Sequence, residues 1–94
     1  MIDDLGLSAA RDADRLLATA RERGLDRWVA YLEPLPDRLR DDGLAGLRAA
    51  AMRARAAYGP KDSIRDVLPP SLTEPFLESV DRLLREMNRA AHRR

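Results

Sequence analysis

The sequence predicts an all-α fold: a small bundle of three principal helices with short connecting helical turns. Three observations carry that expectation. Between Thr73 and His92 the apolar residues Phe76, Leu77, Val80, Leu83, Leu84, Met87, Ala90 and Ala91 recur at alternating spacings of three and four. That is the period of an α-helix with one buried stripe. Nowhere does the alternation of a β-strand persist, and Val, Ile and Thr are sparse. Glycine and proline punctuate the remainder at Gly24, Pro34, Pro36, Gly43, Gly59-Pro60 and Pro69-Pro70, leaving stretches of helical length between them.

The first helix is marked by Leu5, Ala9, Ala13, Leu16, Leu17 and Ala20 and ends near Arg23. Either Asp3 caps it, with Gly6 tolerated inside, or Ser8 caps a shorter version. Gly24 suits the left-handed position after a helix, with Leu25 folding back on Ala20 in a Schellman ending. Asp26 then caps a short helix, Arg27 to Leu32, the most aromatic stretch of the chain. The run Glu33-Pro34-Leu35-Pro36 breaks it and leaves Glu33 and Leu35 extended, because proline disfavours helix in the residue before it. Pro36 opens a helical turn through Arg40, which stops at Asp41-Asp42-Gly43.

Leu44 to Tyr58 forms the next long helix, with Leu44, Leu47, Ala51, Ala54 and Tyr58 on the inward face. Asp62 or Ser63 caps one short turn holding Ile64, Val67 and Leu68, and Pro69-Pro70 follows in an extended conformation. Thr73 is the expected cap of the last helix, with Pro75 in its first turn. Glu78/Arg82 and Asp81/Arg85 stand as (i, i+4) ion pairs in the favourable orientation.

Ninety-four residues make a single domain, 1–94. A chain of this size buries roughly 60–65% of its unfolded surface, enough for one core. The sequence has no cysteine, so it offers no disulfide, thiolate metal ligand or cysteine nucleophile. A net charge of +1, from 17 basic and 16 acidic residues, demands neither nucleic acid nor membrane as a partner. Met1-Ile2-Asp3-Asp4 is acidic where a signal peptide is basic, and no apolar run approaches the ~20 residues of a membrane span. A cytoplasmic location is the expectation. Every basic residue except Lys61 is arginine, which fits GC-rich codon usage or, alternatively, arginine forks at a binding surface.

Catalytic chemistry finds little purchase. The one histidine, His92, sits in the last helical turn, where neither an orienting carboxylate nor a pocket is assured. Of Ser8, Ser63, Ser71 and Ser79, three stand at plausible caps. No nucleophile elbow, phosphate loop or zinc-protease motif occurs. The acidic clusters are Asp3-Asp4, Asp12/Asp14 and Asp41-Asp42; Asp37, Asp41 and Asp42 fall near one turn without a calcium-loop pattern and suit the positive N-terminal end of the Leu44 helix. No cofactor and no enzymatic activity are expected.

Two surfaces remain. Residues 1–42 carry seven basic and ten acidic groups, whereas 43–68 carry five and two. The basic face of Arg48, Arg53 and Arg55 could meet phosphates, but an intramolecular match with the acidic first half explains it more simply. Trp28 and Tyr31, with Arg27, Leu35 and Arg38 around them, have the composition of protein–protein contact anchors; filling the core against Phe76 is their other reading.

The run Tyr58-Gly59-Pro60-Lys61-Asp62-Ser63-Ile64-Arg65-Asp66-Val67-Leu68, followed by prolines and an amphipathic helix, resembles a family of small uncharacterised bacterial proteins over residues 58–91. The shared pattern is an aromatic, a glycine turn, Ser, an apolar residue, then Asp and two apolars. Pro60 and Lys61 depart from it, standing where that family favours Gly and Met. The resemblance implies a helical fold and no chemistry. The resulting expectation is a non-enzymatic protein-binding module, for instance immunity- or antitoxin-like, whose partner is another protein or a second copy in a dimer. Its rival is a regulatory nucleic-acid binder using Arg48, Arg53 and Arg55.

Overall fold

The computed structural model describes residues 2–41, 43–59 and 62–92, with Asp41 as backbone. Every regular element among them is helical: α1 Ile2–Glu22, α2 Asp26–Leu32, α3 Leu35–Asp41, α4 Leu44–Ala56 and α5 Pro70–His92, with a 3₁₀ turn at Ile64–Asp66. The all-α expectation is met. The short helix expected at Arg27–Leu32 and the helical turn expected through Arg40 are α2 and α3, seven residues each, so the described residues hold more than three helices.

Helix α1 packs on α5, α3 and α2, and α4 packs on α5 and α3. The closeness of α1 to its neighbours follows from small side chains. Gly6, Ala9, Ala10, Ala13 and Ala20 are all buried along it, interleaved with Leu16 and Leu17. Gly6 is the extreme case, since a Cβ there would lie 2.8 Å from the Leu39 carbonyl oxygen of α3. Neither expected cap starts this helix: Asp3 and Ser8 both lie inside it, and Asp3 and Asp4 favour the positive end from the first turn.

Its C-terminus is the Schellman ending that Gly24 implies. Gly24 has φ +66°, the Leu25 N–H donates to the Ala20 carbonyl at 3.0 Å, and the Gly24 N–H to Arg21 at 3.2 Å. Asp26 is the first residue of α2 rather than its cap, a position held by Leu25 without a side-chain bond. Glu33 and Leu35 are not extended. Glu33 is helical at φ −52°, ψ −43°, and Leu35 opens α3. The bias before proline gives way here because Leu32 and Leu35, on either side of the turn, are both fully buried.

Helix α5 starts at Pro70, three residues before the expected cap. Proline suits the first helical position, and the Pro69 carbonyl accepts from the Leu72 and Thr73 N–H groups at 3.0 and 3.1 Å. Thr73 is buried, and Pro75 lies inside the helix, where it removes one rung of the backbone ladder. Phe76, Val80, Leu83 and Met87 are buried as the spacing predicts, Leu77 and Leu84 are half-buried, and Ala90 and Ala91 are exposed. The (i, i+4) pairs do not form. Asp81 turns to Arg55 of α4 at 3.1 Å, and the ion pair within α5 is Glu86–Arg89 at 3.4 Å.

A polar clamp fixes the return from α4 to α5. Ser63 Oγ accepts from the Arg65 N–H and so caps the 3₁₀ turn. Arg65 grips Glu74 with both Nε and Nη2, at 2.9 and 2.8 Å, and lies 5.4 Å from the Tyr58 ring centroid. The Tyr58 hydroxyl donates to the Thr73 carbonyl. Ile64 and Leu68 enter the core, so Tyr58, Ser63, Ile64 and Leu68 of the family-like run all have structural work; Pro60 and Lys61 lie outside the described residues.

Burial, and then the Glu74 carboxylate, push the Tyr58 phenol well above its ordinary range. The unfolded chain ionises that phenol near pH ~10, whereas the folded chain resists. Stability from this source is therefore complete below about pH 10 and is lost as pH rises beyond it. Tyr58→Phe should cost about 1 kcal/mol at neutral pH, for the hydrogen bond, while flattening the alkaline loss. Thermal melts at neutral and strongly alkaline pH check this; an unchanged alkaline loss in the variant refutes it.

Candidate functional site

The expected contact surface around Trp28 is split, with two of its five residues in the core. Trp28 is 8% exposed and Leu35 0%. Half-buried Tyr31 meets Trp28 edge-on at 5.6 Å between centroids. Arg27 and Arg38 are exposed; Arg27 lies 5.5 Å from the Trp28 ring centroid and 3.7 Å from Asp62. Trp28 and Leu35 therefore serve packing, and the five residues present no joint apolar face.

The basic face is likewise engaged, though not with the acidic side chains of the first half. Arg53 donates to the Tyr31 carbonyl from Nε and Nη2 at 3.3 and 3.2 Å, and its guanidinium sits 4.1 Å from the Tyr31 ring centroid. The Tyr31 hydroxyl answers by donating to the Arg53 carbonyl at 2.6 Å. Arg48 donates to Asn88 Oδ1 at 2.9 Å, and Arg55 pairs with Asp81. These contacts join α4 to α2 and α5.

What the sequence reading missed is the outside of α4. Ten of the thirteen residues from Leu44 to Ala56 are uncharged and small or apolar, and the other three are arginines. Leu47, Ala50, Ala51 and Ala54 face the core. Leu44, Ala45, Ala49, Met52 and Ala56 form a second apolar face, exposed to solvent. Leu44, expected inside, is 66% exposed, and Met52 is 57% exposed. A helix apolar on all sides is normally covered on all sides. The signal was present in the composition of α4, but its alanines fit several inward faces equally well.

At the start of α4 this face deepens into a groove of about 440 Å³, lined by Ile2, Leu44, Ala45, Arg48, Met87, Ala90 and Ala91. The exposed Ala90 and Ala91 of α5 thus find their place as a groove wall. Exposed apolar surface gathered in this way is characteristic of interaction sites.

Residues considered for catalysis are dispersed. His92 is exposed at the end of α5. Ser79 donates to Asp12 Oδ2 at 2.9 Å, joining α5 to α1. Ser63 is a cap, whereas Ser8 and Ser71 lie within helices. Asp14 turns to Arg40 instead of joining Asp12. Asp37 lies in the first turn of α3, and Asp42 falls outside the described residues. Among the described residues no three acidic or histidine side chains converge as metal ligands, and no helix is long and apolar enough to cross a membrane.

Among the described residues the fold is all-α, with the outer apolar face of α4 left uncovered. No family model, no curated protein and no solved structure matches the chain.

Proposed function

We propose that this chain is a non-enzymatic, cofactor-free helical bundle that binds another protein through the outer face of α4 and the groove at its start. The observation that carries this reading is the second apolar face of α4, with Leu44 and Met52 more than half exposed. Covering such side chains is favourable by roughly 25 cal/mol per Å² of apolar area. The core does not need them, so a partner surface is their best use. A cytoplasmic setting and an immunity- or antitoxin-like role belong to the same proposal.

The double substitution Leu44→Asp/Met52→Asp tests it. Both sites are exposed, so the melting transition should stay within about 0.5 kcal/mol of the parent. Association, read as co-purification of a native partner or as a concentration-dependent mass in light scattering, should be lost. A variant that associates like the parent would sink the proposal.

The rival reading, a nucleic-acid binder using Arg48, Arg53 and Arg55, draws support from the absence of acidic residues on α4. It is weakened by the occupation of Arg53 and Arg55 within the chain. A salt titration with duplex DNA separates the two: a steep log–log slope favours the rival, and no binding at low salt removes it.

A further inference from the structure

We infer that the occupant of the α4 face is an amphipathic helix bearing acidic residues beside its apolar stripe. This rests on the reading of α4 as the contact face and adds the chemistry of the partner.

Shape comes first. From Leu44 to Met52 the exposed stripe runs about 12 Å, a little over two helical turns. Its near end is the groove, where Ile2 of α1 and Met87, Ala90 and Ala91 of α5 join Leu44, Ala45 and Arg48 in the lining. A shallow apolar trough of this kind suits a helix inserting side chains at i, i+4 and i+7.

Charge then narrows the occupant. The three ionisable side chains of α4 are all arginines. Arg55 has a carboxylate partner in Asp81, but the other two do not. Arg48, a lining residue of the groove, donates to the neutral amide of Asn88. Arg53 is held by a backbone carbonyl and a phenol ring, both neutral. Each guanidinium is thus fixed in position while its charge has no ion pair among the described residues. Arg48, with only Nη2 engaged, keeps the rest of its guanidinium for a carboxylate, which it meets with a planar fork.

The same two cations argue against the other occupants. In a second copy packed antiparallel about a two-fold axis at the middle of this stripe, Arg48 would face its own counterpart, and like charges across an interface are costly. A nucleic-acid backbone needs an open row of cations, whereas here apolar side chains separate Arg48 from Arg53 and the Arg53 fork is already donating.

The test titrates the full ¹⁵N-labelled chain with a designed 15-residue helical peptide having leucines on one face and glutamates flanking them. A sister peptide carries lysines at the flanking positions. The expected result is movement of the Ala45, Ala49 and Met52 amides, with the glutamate peptide binding at least tenfold more tightly at low salt. Arg48→Gln should reduce that preference, and Arg48→Glu should reverse it towards the lysine peptide. Leu44→Asp/Met52→Asp should abolish binding of both. Equal affinity for the two peptides would overturn the charge inference and leave the α4 face standing as a contact site. Silence of the α4 amides with both peptides would overturn both. Amide shifts that follow protein concentration alone would assign the face to a second copy and overturn the acidic partner.

Discussion

Trp28→Ala is expected to destabilise the protein by about 3–5 kcal/mol, the range for truncating a large buried aromatic. In a chain of this size that lowers the melting temperature by well over ~10 °C. The indole is 8% exposed and sits edge-on to Tyr31, with the Arg27 guanidinium 5.5 Å from its ring centroid. Its removal leaves a void and deprives Tyr31 of one of its two ring neighbours. Tyr31→Phe is the informative companion. It keeps the ring between Trp28 and Arg53 and loses the hydroxyl bond to the Arg53 carbonyl, so its cost should be about 1 kcal/mol. Chemical denaturation of both variants measures the difference. A Trp28→Ala protein within about 1 kcal/mol of the parent would return the indole to the surface role its composition suggested.

Gly6→Val should also be damaging, at about 1–3 kcal/mol, by forcing a branched side chain into a packed contact. Helix propensity alone argues the other way, because glycine inside a helix is worse than most residues by up to about 1 kcal/mol. The contact decides the sign. A Cβ at position 6 would stand 2.8 Å from the Leu39 carbonyl oxygen, a backbone atom that moves only if α3 moves. Even Gly6→Ala should therefore lose stability. Gly43 is the control: its backbone is extended at φ −63°, ψ 175°, and nothing lies within 4 Å of its Cβ position. Alanine there meets no clash and should cost less than at position 6, its effect limited to alanine's weaker fit at the N-cap of α4. Equal effects at both positions would mean that α1 and α3 do not approach as described.

These two cases mark how far the sequence could be read. Rules that act within a few residues were legible. Gly24 with Leu25 gave the Schellman ending, Ser63 the short cap, and the three–four spacing of α5 its buried stripe. Decisions made by packing were not. Glu33 and Leu35 turn helical against the local bias because the core takes Leu32 and Leu35. Thr73 loses its expected capping role because Pro70 starts the helix earlier. Of the candidate surface, the residue types were legible but their exposure was not. Trp28 and Tyr31 have the composition of an interface, yet the indole is core and the phenol is tied to Arg53. The α4 face escaped notice because alanine on every side of a helix leaves the inward direction undetermined.

The way α4 is fastened has a further consequence for how the molecule comes apart. Toward the core it offers one leucine and small alanines, so little apolar area holds it there. Its remaining anchors are the polar clasps of Arg48, Arg53 and Arg55 to α5 and α2. Solvent competes for such clasps far more readily than for the leucines of α1 and α5. Partial opening is cheapest at α4, so its amides should exchange with solvent while the α1–α5 pair stays closed. A bound partner would slow that exchange first, because it adds the apolar cover this helix lacks.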